Sequence, residues 1–556
     1  MSDGDPTSEP GSRRPPRSEA DRRDHIEWAA ALALAAISVV WWVAASRNLW
    51  FFADAWDFLA ERQIDSLDSW LDPHIGHLQI PAFLAHRVLY ALFGLDYSPW
   101  YVLPYAAGYA ALAVFAWRSL LWRGASRPVA FSAFVLFLAL ETASVVYLTV
   151  IGVLVILAGF VVLLLWFDGI AVPRRFPRLW MTALLLVMVT TGSLGTITTI
   201  AAALVAATVP RLRRWLPSFV LPGALYAAWW VAFAGDTAKN DFDPGALVSL
   251  PGNALEMFGY AAARLFGLPD ETRWVMGPLV IVLLGVALVL RRWTVGSWLA
   301  AITIGGTLLA VLGIRVAGDV PLRLPRYSFI LQALLIVGFA PLVRLPARLP
   351  RAAGAVAVAA LAAAVIVNGV GRTEAITARA ADVSAAREGF DAVATLADRR
   401  EPIVDEVRVE DLGYPGMSVE AGAVARFVAD GYGPLPVDEV VLDTVRPRLR
   451  FLILARGRPE GVPVRADGAT TRCVTVREGS PLTGTALRAG TLRLRPDGPR
   501  ATLLLSWSDR FGPAERTVEI DEPQRLSLPD PAERGTAVAI SVVGPRVEVC
   551  GVGLDG

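Results

Sequence analysis

Three carboxylates recur at helical spacing in the stretch NLWFFADAWDFLAER, residues 48–62. Asp54, Asp57 and Glu61 stand at i, i+3 and i+7, so a helix would project them from one face. The surrounding aromatic residues could lay that helix on a membrane interface. Crowded carboxylates near a surface of low dielectric constant repel one another, which favours a proton on one of them and suits a general base. The alternative interpretation is the solvated face of an ordinary surface helix.

Two of the four histidines follow in the stretch LDPHIGHLQIP, residues 71–81. His74 and His77, at i and i+3, could share a helix face and hold a divalent metal together with Asp72 or Asp54. The other interpretation is hydrogen bonding to a sugar or phosphate, or plain local capping. His86, in the amphipathic stretch AFLAHRVLYALFGL, is expected to be structural.

Membrane spans are the elements that must position these residues. The chain has 556 residues, of which 54% are hydrophobic and 19% charged, and its mean hydropathy is +0.49, outside the usual range for soluble proteins. Eight apolar runs approach the ~20 residues needed to cross a bilayer: 26–46, 99–122, 128–148, 150–167, 274–291, 295–314, 326–343 and 352–371. Two short helices within 179–209, meeting outside, and a span at 216–234 predict eleven in total.

Arginines fall at every second connection between these spans. Because cytoplasmic loops carry the excess of basic residues, the pattern predicts a multi-pass plasma-membrane protein with its N-terminus in the cytoplasm and its C-terminus outside. The first span is interpreted as an uncleaved anchor rather than a signal peptide, since its apolar run is long. A net charge of +1 and the lack of a basic aromatic stripe argue against a nucleic-acid partner.

Composition divides the chain into four parts. Residues 1–25 are expected to form a disordered cytoplasmic tail, residues 26–371 a transmembrane domain with an outer loop at 47–98, and residues 372–400 an amphipathic juxtamembrane helix. From 401 to 556, short β-type runs alternate with turns, which predicts a sandwich-like, extracytoplasmic β-rich domain. In an oxidising compartment Cys473 and Cys550 are expected to form a disulfide, two buried thiols being the alternative.

The first outer loop resembles a known class of membrane enzymes. An acidic motif just outside the first span resembles the GT-C superfamily of integral membrane glycosyltransferases, and DAWDFLAER followed by PHIGHLQIPAFLAHRVLYALFGL looks like a group of uncharacterised actinobacterial multi-span proteins with GT-C features. The resemblance implies that an Asp of this loop is the catalytic base, which activates an acceptor hydroxyl against a polyprenyl-phosphate sugar. Asp54 matches the first acid of the motif, Ala55 replaces a frequent second acid, and Asp57 can supply that function. The resemblance covers the membrane domain and not the β-rich region.

An outward-facing transferase needs a lipid-linked donor, because nucleotide sugars are too charged to cross a bilayer unaided. Arginine suits phosphate contacts, and Arg315 and Arg326 lie in an outer connection that is otherwise poor in positive charge. The pair Arg326-Tyr327 also resembles the same actinobacterial group. Glu141, near the outer end of the third span, is a further substrate-binding candidate, since a carboxylate at that depth is costly.

These observations predict an α-helical polytopic protein that transfers a hexosyl or pentosyl group, with inversion, to a glycan, lipid or protein acceptor in the cell envelope. The β-rich domain is expected to hold acceptor glycan, and a divalent metal is left open as cofactor. Motifs for ATP-driven transport, serine hydrolysis and zinc proteolysis are missing from the sequence. The alternatives are a flippase or transporter of lipid-linked glycans, favoured by the Thr- and Gly-rich segment 190–199, and a non-enzymatic envelope protein.

Overall fold

A computed structural model describes the parts of the chain that carry most of these candidates. The described residues are 19–51, 54–62, 64–74, 76–140, 151–234, 246–290, 292–315, 325–343, 351–401, 403, 405, 407–412, 414, 417–450 and the strand segments between 452 and 551. For some residues at element ends, including Asp54, Glu61, Arg315 and Arg326, and for most strand residues, the description covers the backbone alone.

Helices make up most of the described chain. In the N-terminal part they are α1 Glu19–Ala45, α2 Asp54–Trp56, α3 Leu67–Leu71, α4 Ile80–Phe93, α5 Val102–Trp122, α6 Arg127–Ala139, α7 Ile151–Phe167, α8 Pro177–Val189, α9 Ser193–Thr208 and α10 Pro217–Trp229. They continue with α11 Ala246–Leu265, α12 Arg273–Val289, α13 Val295–Arg315, α14 Pro325–Phe339, α15 Arg351–Asp398, α16 Ala421–Ala429 and α17 Glu439–Arg450. Two π-helical segments, Asp57–Glu61 and Trp230–Ala234, directly follow α2 and α10.

Within the described part of the chain, three helical stretches are long and apolar enough to cross a bilayer: Arg22–Ala45, Asp270–Val289 and Ala352–Asp398. Further apolar helices of 10–17 residues are present, among them α7, α8 and α9. The segment 179–209 contains two short helices, α8 and α9, as expected from its central Thr and Gly residues. The number of spans and their orientation stay predictions.

Three helices differ from the sequence-based expectation. Helix α1 begins at Glu19, inside the segment predicted to be disordered, and Arg127 pairs with Asp24 and Glu27 at 3.3 and 3.1 Å. Helix α11 was not predicted, yet it packs in the core against α12, α13 and α14. The predicted last span and juxtamembrane helix are one continuous helix, α15, of 48 residues.

Two large hydrophobic cores organise the described chain. The bundle core combines side chains from α5, α6, α7, α8, α9, α11, α13 and α14. The second core, called the outer core because its residues are predicted to lie outside the membrane, joins the end of α1, the aromatic residues of 49–59 and the start of α5 to the second half of α15 and described residues between 407 and 449. The first half of α15 is exposed on most faces, whereas its second half buries Val383, Phe390 and Val393 in the outer core.

A buried ion pair fastens several helix ends at one end of the bundle. Arg123, at the end of α5, donates from Nε to Asp168 Oδ2 at 2.8 Å and also donates to the carbonyl of Val337 at the end of α14. The second carboxylate oxygen, Asp168 Oδ1, accepts from the backbone N of Gly296 at 3.0 Å in the first turn of α13. The Arg123 side chain has no exposed surface. This Arg123 cluster therefore gathers connections that are distant in sequence.

The described residues between 407 and 450 form helices and loops that belong to the outer core, so the prediction that β-type structure starts at 401 was wrong for this segment. Described strands begin at Leu452: β1 Leu452–Leu454, β2 Arg472–Val476, β3 Leu482–Gly484, β4 Gly490–Pro496, β5 Ala501–Asp509, β6 Gly512–Ile520, β7 Gln524–Leu528, β8 Ala537–Val543 and β9 Val547–Gly551. They pair antiparallel in the orders β1-β7-β4-β9-β2 and β3-β8-β5-β6.

Candidate functional site

An aspartate–histidine pair lies just beyond α1. The Nδ1 atom of His74 donates to Oδ2 of Asp57 at 2.9 Å. The His74 side chain is 2% exposed, whereas that of Asp57 is 30% exposed, so the carboxylate is the member of the pair that a ligand can reach. Asp57 opens the π-helical segment that continues α2. Such segments are rare and frequently occur at functional sites.

A tight turn positions His74. The backbone N of His74 donates to the carbonyl of His77 at 2.9 Å, and the reverse bond measures 3.0 Å. Gly76 has a φ of 75°, a value that glycine adopts without a steric penalty. The expectation that His74 and His77 share a helix face was therefore wrong, because their backbones pair across this turn.

The ring of Phe58 separates the two buried histidines of the loop. Its centroid lies 4.8 Å from the His74 ring and 5.1 Å from the His86 ring, and Phe58 is fully buried. His86 lies in α4, where its Nδ1 contacts the carbonyl of Ala82 at 2.7 Å. His86 is therefore a core residue, as the sequence predicted, and it helps fix the ring behind His74.

Arg62 is a buried cation at the site that the sequence analysis overlooked. Its Cζ lies 5.3 Å from the centroid of Phe58, its Nη1 donates to the carbonyl of Ser69 at 3.2 Å, and its Nη2 lies 3.9 Å from Asp72 Oδ2. These contacts tie the end of the π-helical segment to α3. The sequence contained a signal for Arg62, because it is a positive charge in a loop predicted to face outward.

Two hydrogen bonds fasten the loop to the bundle. The backbone N of Ile80 donates to the carbonyl of Thr190, at the end of α8, at 3.0 Å. On the far side, Trp229 Nε1 in α10 donates to the carbonyl of Leu71 at 2.6 Å. The segment that carries His74 is therefore anchored at both ends.

The aromatic residues around Asp57 form a protein core and do not lie on an interface. Trp50, Phe51 and Trp56 are buried, and the Trp56 ring stacks on Phe390 of α15 with centroids 5.1 Å apart. Trp50 Nε1 donates to the carbonyl of Leu95 at 3.1 Å. The expected interfacial placement was therefore wrong, because the second half of α15 covers these rings.

Other predicted site residues are placed less completely. Asp54 is the first residue of α2 and Glu61 the last of the π-helical segment, with backbone description only. Glu141 lies outside the described residues. Arg315 ends α13 and Arg326 is the second residue of α14, again with undescribed side chains, while Tyr327 packs against the bundle core. In the β2–β9 pairing, Cys473 is directly opposite Cys550.

The described side chains contain no cluster of three His, Cys, Asp or Glu groups that could hold a metal ion. Asp57 and His74 together supply two such groups, one fewer than a cluster of three. The arrangement is that of a carboxylate oriented by a buried imidazole, and it can accept a proton from a hydroxyl at its exposed edge. The chain matches no family model, no curated protein and no solved structure.

Proposed function

We propose that this protein is a membrane-embedded glycosyltransferase of GT-C type whose general base is Asp57. The observation that carries the proposal is the 2.9 Å contact between Asp57 and His74, in which the carboxylate is partly exposed and the imidazole is buried. A histidine that donates to one carboxylate oxygen leaves the other lone pairs free to receive a proton. It also fixes the direction in which the carboxylate points, as catalytic bases require.

In the proposed reaction, the acceptor hydroxyl attacks the anomeric carbon of a sugar held by a polyprenyl phosphate. The bond from that carbon to the phosphate oxygen breaks, the phosphate leaves with the electron pair, and the hydroxyl proton passes to Asp57. Attack opposite to the leaving group inverts the anomeric centre. His74 is a positioning residue, and Asp54 is the alternative base. Arg326, with Arg315 second, is proposed to stabilise the departing phosphate.

The proposed topology has eleven spans, a cytoplasmic N-terminus and an outward-facing site. Two groups of contacts support it. The Arg123 cluster joins chain segments that the arginine pattern assigns to the cytoplasmic side, among them Asp168 and Gly296. At the other end, Arg372 contacts Trp42, which lies near the predicted outward end of the first span, and the carbonyl of Leu138. The first group of contacts carries most of this support.

The strand region after residue 451 is proposed to be a sandwich-like domain outside the membrane that holds acceptor glycan. An oxidising location is consistent with the register that sets Cys473 opposite Cys550. Antiparallel neighbours in direct register have β-carbons about 4.5–5.5 Å apart, close to the separation that a disulfide spans.

The flippase alternative depended on hydroxyl groups in the segment 190–199. Several of these hydroxyls bond within their own helices: Thr198 donates to the carbonyl of Leu194 and Thr199 to that of Gly195, both at 2.8 Å. Thr190 bonds the carbonyl of Leu186 in the same way. Hydroxyls used in this manner offer less to a passing glycan, which favours the transferase.

Replacing Asp57 with Asn tests the proposal. The purified full-length protein is supplied with a panel of hexosyl and pentosyl polyprenyl phosphates, and sugar transfer to envelope acceptors is measured. Loss of a general base predicts about a 10²–10⁴-fold lower rate for Asp57→Asn. The exposed Asp65 of the same loop provides the matched control, and Asp65→Asn should retain full activity. Equal transfer by wild type and Asp57→Asn would contradict the assignment of the base.

A further inference from the structure

A second polar feature lies where α1 meets α15. A groove of about 370 Å³ opens there, with Trp41 of α1 on one side and residues between Ile366 and Glu374 of α15 on the other. Arg372 lines the groove. It lies five turns of α15 before Phe390, the residue that stacks on Trp56. At about 1.5 Å per residue, these two levels of the helix are about 27 Å apart. The groove is therefore distinct from the Asp57 site.

Arg372 is a buried cation whose hydrogen bonding is incomplete among the described residues. The residue is 8% exposed, its Cζ lies 4.0 Å from the centroid of the Trp41 ring, and its Nη1 donates to the carbonyl of Leu138 at 2.9 Å. The buried Nε donor has no acceptor in the described part of the chain. No ion pair to Arg372 is formed among the described residues. A buried charge without a counter-ion is costly, and a guanidinium matches the oxygens of a phosphate.

The wall supplied by α15 changes from apolar to polar along the helix. Ile366 and Val370 are exposed apolar side chains on the side toward the start of the helix. Gly369 lies between them, and no atom lies within 4 Å of the position that a β-carbon would occupy there. Thr373 and Glu374 are exposed at the other end. The groove wall is therefore apolar at one end and charged at the other, which matches the acyl chain and the headgroup of a lipid.

We propose that the groove binds a phospholipid of the surrounding bilayer, with its phosphate on Arg372 and an acyl chain along Ile366 and Val370. The proposal rests on the membrane embedding of α1 and α15, both of which include candidate spans, and not on glycosyl transfer. A free phosphate ion would satisfy Arg372 but would leave the apolar half of the groove empty. Bound lipid fills the seam between the two helices that lead into the outer core.

Native mass spectrometry of the full-length protein, purified in detergent and supplied with phosphatidylglycerol, tests this site. Removal of the guanidinium in Arg372→Gln should lower the fraction of lipid-bound protein by about tenfold, the effect of one charge-assisted hydrogen bond. Gly369→Leu should lower it similarly by filling the groove, and the open space at this position lets the helix accept the new side chain. Arg379→Gln, a change on the same helix outside the groove, is the matched control.

Thermal unfolding of each variant separates loss of the site from loss of the fold, and Gly369→Leu keeps the test valid if Arg372→Gln does not fold. Inorganic phosphate in excess should fail to displace the lipid. Equal lipid retention by wild type and Gly369→Leu would overturn the proposal, as would displacement by inorganic phosphate alone. Because the readout is bound lipid, its failure is distinguishable from failure of the proposed transferase activity.

Discussion

His74 offers the sharpest test of how the site is organised, because two substitutions at one buried position make opposite predictions. His74→Leu removes the donor to Asp57, while His74→Asn keeps an amide N–H near the position of the imidazole Nδ1. A hydrogen bond to a charged group contributes about 1.5–3 kcal/mol. The Asp57 side chain is 30% exposed, so water can replace part of the lost bond and the lower half of this range applies.

At about 1.4 kcal/mol for each factor of ten, the loss of orientation should reduce kcat by about 10- to 30-fold in His74→Leu. His74→Asn should retain kcat within a few-fold of wild type. The KM for the lipid-linked donor should stay the same in both variants, because His74 is buried and does not contact substrate in the proposed reaction. The assay is steady-state sugar transfer from a polyprenyl-phosphate donor by purified protein.

A coupling experiment completes the test. If His74 acts only through Asp57, the double variant Asp57→Asn, His74→Leu should be no slower than Asp57→Asn alone. Equal kcat values for the Leu and Asn variants at position 74, or an additive loss in the double variant, would refute a positioning role. Unfolding temperatures measured in parallel show whether any loss of kcat comes from a damaged fold.

Three further predictions concern the stability of the fold and the proposed disulfide. Arg123→Leu leaves Asp168 buried without its partner and should lower the free energy of unfolding by about 3–5 kcal/mol. The double variant Arg123→Leu, Asp168→Leu should recover most of this stability in thermal unfolding. An equal loss in both variants would contradict the role of the pair. Burial raises the pKa of Asp391 above 3.8, so the folded state binds its proton more tightly and stability should fall as pH rises from 3.8 through the raised pKa. Asp391→Asn should flatten that part of the pH–stability curve, and an unchanged curve would argue against the assignment. In the unfolded wild type without reductant, a maleimide should label neither Cys473 nor Cys550. In each single Cys→Ser variant it should label the one remaining thiol. Labelling of two thiols in the wild type would exclude the disulfide.

Local patterns predicted many elements of the fold. The break between α8 and α9 follows from Thr190, Thr191 and Gly192, and Gly192 has a φ of 139°, which few other residues adopt. Helix α17 also carried a readable signal, since Leu442, Val445 and Leu449 are buried at i, i+3 and i+7. We nevertheless expected strand there, because the adjoining apolar run, residues 448–455, favours β structure. Helix α11 escaped prediction because Pro251, Gly252 and Asn253 lower its apolar character.

Long-range contacts explain what the sequence could not predict. Asp57 was recognised as a candidate base, but its pairing with His74 depends on the turn at Gly76, and spacing alone grouped His74 with Asp72 or Asp54. The aromatic residues near Asp57 were assigned to a membrane interface because the residues that pack on them, Phe390 and its neighbours, are distant in sequence. Partners so distant leave no periodic signal near residue 50.

The unbroken length of α15 sets the distance between its apolar first half and the outer core. With 48 residues the helix extends about 72 Å, more than twice the ~30 Å of a hydrocarbon layer. Each residue inserted between Arg372 and Phe390 would turn the far half by about 100° and swing Phe390 away from Trp56. Insertions or deletions between Arg372 and Phe390 therefore preserve this packing only when their length is close to whole helical turns. A rotation of the first half of α15 would likewise move Phe390 against Trp56, next to Asp57.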